Sequence, residues 1–424
     1  MYPGGTAESE SSMRSMSNLH IDPARLMARI EALGAIGATA EGGVGRLALS
    51  DEDGAGRDQV VAWMRAAGLR VEVDQIGNIF GTRAGTADAA PVMTGSHVDS
   101  VANGGKLDGA YGVLAGIEVV ETLNDAHIET TRPIVVAAFS NEEGARFQPD
   151  MMGSLVYAGG LAIETALETQ DGDGVAVAEA LTRIGYAGER EVGACPPCAF
   201  VEAHIEQGPV LEAQAVTIGA VENLQGISWS GISISGQANH AGTTPMTLRH
   251  DAGYCAGEIA SRVRRLATDL GGQQVATVGV IDLQPGIVNV IPARAFVTVD
   301  LRNTDNEMLK HAEKLLAELL DSLAASEGVH IELQRLARFD PVRFDESIVA
   351  RIEKNAAALG FSCQRMTSGA GHDAQMMARL CPAAMIFVPS VEGISHNPAE
   401  HTHPDDLSAG ANVLLHTLFE LAGT

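Results

Sequence analysis

The chain has 424 residues, of which 46% are hydrophobic and 19% are charged, and its formal net charge is −26. This amount of apolar material is enough to build a packed core, so the composition excludes a wholly disordered chain. A surface this acidic repels phosphate backbones, which argues against nucleic-acid binding as the main activity.

The N-terminal segment and the number of cysteines favour a location in a reducing cellular compartment. Residues 1–18 are rich in Ser, Gly and Glu and lack the apolar centre of a secretory signal, so we predict a disordered tail. No apolar run approaches the ~18 residues needed to cross a bilayer. Five cysteines are a sparse, odd-numbered set that favours free thiols in a reducing compartment, with Cys195–Cys198 in an ordinary loop. We therefore expect a cytoplasmic protein with no membrane partner.

The first half of the chain alternates helix-like and strand-like segments. Helical spacing of apolar residues predicts helices over Ile21–Leu33, Ala55–Ala67 and Gly109–Leu123. Period-two or β-branched runs predict extended segments over Leu69–Val73, Asn78–Gly81 and Ile134–Phe139. Such alternation favours an α/β fold with a parallel or mixed sheet.

The pattern changes between residues 222 and 336. There it predicts an exposed antiparallel strand, two further strands and two helices, over Gly226–Gly236, Val275–Leu283, Ala295–Leu301, Asp251–Leu266 and Glu307–Glu327. After residue 337 the alternation returns, with Ser347–Leu359, Asp373–Arg379 and Ala384–Val388 as helix, helix and strand. We therefore predict a catalytic domain of residues 19–221 and 337–424, interrupted by a smaller α+β sandwich at 222–336.

Four apolar runs end in polar clusters that contain potential metal ligands. The run that begins at Pro91 leads to His97 and Asp99, and the run that begins at Ile134 leads to Glu142 and Glu143. The run that begins at Ala199 leads to His204, and the run that begins at Ala384 leads to His396. Asp108 follows in a glycine-rich stretch, NGGKLDGAYG. Each residue alone is more often a surface or hydrogen-bonded group, and the prediction depends on their joint placement. Ligands of open α/β sheets bind outside the carboxyl ends of the strands.

Two histidines with carboxylates suit zinc, cobalt, nickel or manganese better than calcium. An aspartate can bridge two ions, and two metals ~3.5–4 Å apart activate water and clamp the attacked oxygen. Side chains of neighbours leaving a strand point in different directions, so one of Glu142 and Glu143 can ligate while the other acts as general base. In His97-x-Asp99 the short spacing lets the aspartate accept from the second imidazole nitrogen and set its tautomer. For His401 and His403 we favour a structural role over ligation.

From about residue 21 to the C-terminus the chain resembles the zinc-dependent amidases of the hydantoinase/carbamoylase group, whose fold is that of di-zinc aminopeptidases. The matching blocks are GSHVDSVANGGKLDGAYG, FSNEEGARF, HIEQGPVLE, GQANHAGTTPM, VNVIPARAFVTVDLR, SGAGHDAQMMA and SHNPAEHT. The resemblance implies two divalent metals, zinc first, with manganese, cobalt or nickel as alternatives. One of them would be bound by His97, Asp108 and His204. By the same resemblance, Asp108 would bridge to a second metal held by Glu143 and His396, and Glu142 would be the general base.

The resemblance also implies substrate-binding residues. His240 would donate to the oxyanion from the neighbouring subunit of a homodimer formed by the insertion, and the alternative is a capped-loop histidine inside the insertion. Gln207 would contact the ureido nitrogen, while Arg302 and Asn289 would bind a substrate carboxylate. Gly369 would let the backbone approach the substrate closely. His372, beside Gly369, would support that loop.

The function expected from the resemblance is hydrolysis of N-carbamoyl-L-amino acids to amino acid, ammonia and carbon dioxide. Allantoate amidohydrolase and β-ureidopropionase are close alternatives, although the uncharged Leu155 after Gly153–Ser154 resembles the carbamoylases more than the allantoate enzymes. A di-zinc aminopeptidase or dipeptidase is a more distant alternative. A non-catalytic binding module is disfavoured because Glu142 is present.

Overall fold

The structure is a computed structural model that describes residues 19–423; the predicted tail, residues 1–18, lies outside this range. The chain divides into two compact units. The interrupted unit comprises the residues up to Glu222 and from Phe344 onward, and the inserted unit comprises Asn223–Arg343. The second boundary lies beyond residue 336, because the last long strand of the inserted unit continues to Phe339.

Helices are interspersed with strands in both units. The strands are β1 Arg70–Val73, β2 Ile79–Arg83, β3 Val92–His97, β4 Ile134–Phe139, β5 Ala199–Ile205, β6 Ile218–Leu224, β7 Gly226–Ser235, β8 Asn239–His240, β9 Val275–Gln284, β10 Val290–Ile291, β11 Arg294–Asn303, β12 His330–Phe339, β13 Val342–Arg343, β14 Cys363–Ser368 and β15 Ala383–Val388. The α-helices are α1 Pro23–Gly34, α2 Asp51–Ala66, α3 Ala110–Asp125, α4 Met152–Tyr157, α5 Ile163–Glu168, α6 Val177–Ile184, α7 Val210–Gln214, α8 Ala252–Leu270, α9 Asn306–Glu327, α10 Glu346–Ala358, α11 Asp373–Met377 and α12 Pro404–Ala422.

The interrupted unit is built on a mixed sheet, which confirms the predicted α/β class. Its strands lie in the order β1-β2-β4-β3-β5-β15-β6, and β14 also pairs with β6. The four central strands β4, β3, β5 and β15 run parallel to their neighbours, whereas β2 and β6 flank them antiparallel. Every residue of the four central strands is buried, which explains their nearly continuous apolar sequences.

Helices α1 and α2 of this unit begin at side-chain caps, and helix α3 covers the sheet. The carboxylate of Asp22 accepts from two backbone N–H groups at the start of α1, and Ser50 caps α2. Helix α3 is buried along most of its length and contacts β3, β4 and β5. Among the described residues, no helix is long and apolar enough to cross a membrane.

The inserted unit is an α+β sandwich. Its antiparallel sheet has the order β12-β7-β11-β9, and α8 and α9 pack on it around a core that includes Ile232, Ile259 and Val297. The short strands β8 and β10 pair with each other. Strand β7 was expected to be exposed, but it is interior, because it pairs with β11 on one side and β12 on the other.

Candidate metal centre

The predicted ligands lie at one edge of the central sheet. His97 is the last residue of β3, His204 is the next to last residue of β5, Glu143 follows β4, and His396 follows β15. These four strands are parallel neighbours, so their carboxyl ends meet at the same edge. Asp108 comes to this edge on the loop that precedes α3.

The ligand atoms form two groups that share Asp108. In the first group, Asp108 Oδ1 lies 3.7 Å from His97 Nε2 and 3.2 Å from His204 Nε2. In the second, His396 Nε2 lies 3.1 Å from Asp108 Oδ2 and 3.3 Å from Glu143 Oε2. The first group is buried, whereas the side chain of His396 is 51% exposed. One carboxylate therefore faces two sets of donors, and one of the sets is open to solvent.

Hydrogen bonds orient both buried imidazoles toward Asp108. His97 Nδ1 donates to the backbone carbonyl of Asp99 at 3.0 Å, and His204 Nδ1 donates to the carbonyl of Ile205 at 2.9 Å. A carbonyl can only accept, so in the neutral ring the lone pair is on Nε2. Among the described residues, the buried Nε2 of His97 has no hydrogen-bond partner. This atom is oriented and available as a ligand, so the residues fit a divalent cation.

Asp99 accepts from His97 Nδ1 through its backbone carbonyl at 3.0 Å, whereas its nearest carboxylate oxygen lies 3.8 Å from that nitrogen. The carboxylate accepts from the backbone N–H groups of Glu142 and Glu143, each at 3.3 Å. Asp99 therefore orients the His97 imidazole through its backbone and the paired glutamates through its side chain.

Negative charge is concentrated around Glu142, whose Oε2 lies 3.3 Å from His97 Nε2. Burial, and then the neighbouring carboxylates of Asp373 and Glu143, raise the pKa of Glu142 well above its ordinary value. Burial and Asp108 do the same to the pKa of Glu143. Burial also lowers the pKa of His97 to about 4, so this ring is neutral at physiological pH. Several buried carboxyl groups beside a neutral imidazole favour a bound cation, because the cation stabilises the ionised carboxylates that burial and mutual repulsion disfavour.

Asp108 and His204 form a tightly coupled pair. Burial opposes ionisation of both groups, but hydrogen bonds from His204 and His396 hold the pKa of Asp108 well below its usual range. The Asp108 side chain in turn raises the pKa of His204 to about 9, against the effect of burial. A cation bound between these two groups would compete with the proton that their raised and lowered pKa values favour on His204.

Two residues at the open side of the centre have left-handed backbone conformations. Gln207 has φ +57° and His396 has φ +53°, a region that non-glycine residues seldom occupy without a functional or structural constraint. Gln207 Nε2 donates to Asp108 Oδ2 at 2.8 Å. Its Oε1 is buried and, within residues 19–423, accepts no hydrogen bond. Gln207 thus presents an unused acceptor beside Asp108.

His372 and Gly369 lie on the segment between β14 and α11. The buried His372 ring packs against His204 with 4.4 Å between ring centroids, so it contacts a candidate ligand directly. Gly369 is exposed, and a Cβ placed on it would meet no atom within 4 Å. The packing of the chain therefore does not itself require glycine at this position.

His240, Asn289 and Arg302 belong to the inserted unit. His240 pairs with Val290 across β8 and β10, and Ala241 N donates to the carbonyl of Asn289, so His240 and Asn289 are neighbours. His401 and His403, by contrast, form an edge-to-face ring pair near the start of α12 and belong to neither ligand group.

The ring of His240 has a defined tautomer. Backbone N–H groups of Gly242 and Thr243 donate to His240 Nδ1 at 3.0 and 3.2 Å, so in the neutral ring the proton is on Nε2. This is the geometry of the capped-loop alternative, and it also leaves the exposed Nε2–H as a donor. The guanidinium of Arg302 forms an ion pair with Asp300, with Nη2 2.9 Å from Oδ2.

Two buried glutamates near the centre were missed by the sequence analysis. Glu202 accepts from Ser96 Oγ at 2.6 Å and from Ala374 N at 2.8 Å, and so links β3, β5 and α11. Glu400 accepts from the backbone N–H of Asp108 at 3.2 Å. Both lie within the matching blocks or next to them, but nothing in their local sequence indicates a partner elsewhere in the chain.

The chain is similar to known hydrolases along almost its whole length. Residues 93–420 match the model of peptidase family M20/M25/M40. Proteins from Rhizobium meliloti and Geobacillus stearothermophilus, each named N-carbamoyl-L-amino-acid amidohydrolase, are 40% and 41% identical, over 96% and 94% of this chain and 98% of theirs. An allantoate amidohydrolase of Bacillus subtilis is 35% identical over 93% of this chain and 96% of its own length.

Among solved structures, a hydantoinase/carbamoylase family amidase from Burkholderia multivorans aligns with a TM-score of 0.92 and 45% identity. The alignment covers 96% of this chain and 99% of that chain.

Proposed function

The chain belongs to the hydantoinase/carbamoylase amidases of peptidase family M20/M25/M40, hydrolases of non-peptide C–N bonds, and we propose that it cleaves N-carbamoyl-L-amino acids. The products would be the amino acid, ammonia and carbon dioxide. The observation that carries the proposal is the Asp108 carboxylate, whose two oxygens face two donor sets. Glu142 lies beside the first set and belongs to neither. The names of the relatives at 40% and 41% identity support the choice of substrate.

We propose two divalent cations, zinc first, with manganese, cobalt or nickel as alternatives. His97, Asp108 and His204 would hold one cation, and Asp108, Glu143 and His396 the other. When bound, the cations would polarise the carbonyl and lower the pKa of the attacking water. Imidazoles and carboxylates in this number are the donors that these metals prefer.

Glu142 would carry the proton. It lies beside the first donor set, and its backbone N–H is held by Asp99. A carboxylate there can take the proton of the attacking water and return it to the departing nitrogen. Glu143, the adjacent residue, is directed to His396 instead, so the two glutamates have separate tasks.

His240 would stabilise the oxyanion from the neighbouring subunit of a homodimer formed by the inserted unit. The tautomer set by Gly242 and Thr243 supports this role, because a neutral ring with its proton on the exposed Nε2 is a hydrogen-bond donor. A cytoplasmic location stays part of the proposal.

The remaining polar groups would recognise the two ends of the substrate. Gln207 Oε1, a buried acceptor without a partner among the described residues, suits the N–H groups of a ureido function. Arg302 and Asn289 would bind the substrate carboxylate, and the exposed Gly369 would let the backbone approach the substrate closely. Since Arg302 is paired with Asp300, the substrate would share or replace that ion pair.

We expect Arg302→Ala to raise the KM for N-carbamoyl-L-amino acids by roughly 10- to 100-fold, with a smaller effect on kcat. A charge-assisted hydrogen bond contributes about 1.5–3 kcal/mol, and about 1.4 kcal/mol corresponds to a factor of ten. Steady-state kinetics with a carbamoyl amino acid and with its uncharged amide measure the effect. Arg265→Ala, an exposed arginine on α8, is the control. Equal losses on the acid and the amide would contradict a carboxylate clamp.

Allantoate is the second candidate substrate, because an allantoate amidohydrolase is 35% identical over 93% of the chain. The decisive measurement is turnover of N-carbamoyl-L-methionine, N-carbamoyl-β-alanine, allantoate and a dipeptide, each with zinc, manganese or cobalt. We expect the N-carbamoyl-L-amino acid to give the highest kcat/KM. Preference for allantoate would support the second candidate, and cleavage of the dipeptide alone would overturn the substrate class.

A further inference from the structure

Glu400 joins two loops that carry candidate metal ligands. Its side chain is buried, and its Oε1 accepts from the backbone N–H groups of Leu107 at 3.0 Å and Asp108 at 3.2 Å. Its Oε2 accepts from Ser395 Oγ at 2.9 Å. One carboxylate therefore binds the loop of the shared ligand Asp108 to the residue that immediately precedes His396.

The glycine-rich loop is shaped around this carboxylate. A Cβ placed on Gly105 would lie 2.1 Å from Glu400 Oε1, so only glycine allows the loop to pass this closely. Ser395 Oγ also lies 3.3 Å from Asp108 Oδ2, the oxygen that faces the second donor set. Glu400 and Ser395 thus contact both the backbone and the side chain of the Asp108 segment.

We propose that Glu400 is a positioning residue that sets the affinity of the second donor set, Asp108, Glu143 and His396, for its cation. The inference rests on the proposed di-metal function. The rings of His97 and His204 are each held by a backbone carbonyl. His396 instead lies half-exposed on a loop that is attached to Asp108 through Ser395 and Glu400. Loss of Glu400 should therefore weaken the second cation more than the first.

The test is an isothermal calorimetric titration of the chelator-treated protein with zinc alone. Elemental analysis of the titrated protein then gives the number of zinc ions bound. Wild type should bind two equivalents, and Glu400→Ala should bind the second about 10- to 100-fold more weakly, the usual effect of removing a residue that orients ligands. Glu400→Gln keeps a carbonyl oxygen for the two N–H groups and should restore most of the affinity.

The matched control is Asp74→Asn. Asp74 is also buried, and its Oδ1 accepts from the backbone N–H groups of Ile76 and Asn78 at 3.1 and 2.8 Å. Within residues 19–423, its side-chain hydrogen bonds go to Ile76 and Asn78 and not to a loop that carries a candidate ligand. This variant should lose stability and still bind both equivalents with wild-type affinity.

Two results would overturn the role of Glu400: wild-type affinity for both equivalents in Glu400→Ala, or an equal loss of the second equivalent in Asp74→Asn.

If Glu400→Ala does not fold, Ser395→Ala is the test variant, because it removes only the hydroxyl. Unchanged affinity in Ser395→Ala would overturn the proposal, and weaker binding of the second equivalent would support it. Fewer than two equivalents in wild type would instead overturn the di-metal centre on which the proposal depends.

Discussion

Glu142→Gln is expected to lower kcat by about 10²- to 10⁴-fold, the usual contribution of a positioned general base. Glutamine has the same shape and can occupy the same position beside His97, but it cannot accept the proton of the attacking water. Metal content should remain that of wild type, because Glu142 belongs to neither donor set. Stopped assays of ammonia release, with elemental analysis of the same samples, measure both quantities.

Glu143→Gln is the matched control for this experiment. Glu143 is the adjacent carboxylate, but it lies 3.3 Å from His396 Nε2 within the second donor set. Its replacement should therefore reduce zinc affinity as well as turnover, whereas Glu142→Gln should reduce turnover alone. If Glu142→Gln retained kcat within tenfold of wild type, Glu142 would have no part in proton transfer.

Removal of divalent cations is expected to abolish hydrolysis and to lower the melting temperature. The protein alone concentrates the carboxylates of Asp99, Asp108, Glu142 and Glu143 in a buried volume, and bound cations would neutralise them. Each cation at a hundred times its Kd adds about 2.7 kcal/mol to the free energy of unfolding. Differential scanning calorimetry before and after chelation, with zinc added back, measures this gain. An unchanged melting temperature and full activity after complete chelation would rule out a metal-dependent enzyme.

The stabilisation by metal should grow with pH. In the metal-free protein the pKa values of Glu142 and Glu143 are raised above their ordinary value of 4.5. A raised folded-state pKa contributes stability below the unfolded value, and this contribution is lost as the pH rises through the folded value. The metal-free protein should therefore become less stable toward neutral pH, while cations compete better as protons leave. Melting temperatures with and without zinc between pH 5 and 8 should diverge; a constant difference would contradict the coupling.

The fold class could be predicted because the relevant signals are local. The runs that became β4 and β15 are short, apolar and β-branched or aromatic, and they end in polar residues, so their bounds were found almost to the residue. Helix α12, Pro404–Ala422, was not placed. Most of its residues are buried, so it lacks the polar face that makes a helical period visible.

The order of the strands in the sheet could not be predicted from the sequence patterns. Periodicity predicts each strand but not its neighbour, and β15 pairs with β5 across more than 170 residues. That pairing brings His396 to the same edge as His204. The short helices α4 to α7 were also missed, because five to eight residues carry too little periodicity to be recognised.

By itself the sequence determined the types of donor, the strand ends that carry them and the family blocks in which they stand, because these are properties of residues close together in the chain. Only the tertiary structure decided which oxygen of Asp108 faces which imidazole, that a backbone carbonyl rather than the Asp99 carboxylate orients His97, and that Glu400 holds the Asp108 loop. Those contacts join residues up to about three hundred positions apart, and hydrogen-bond geometry at such separations is set by packing rather than by local sequence.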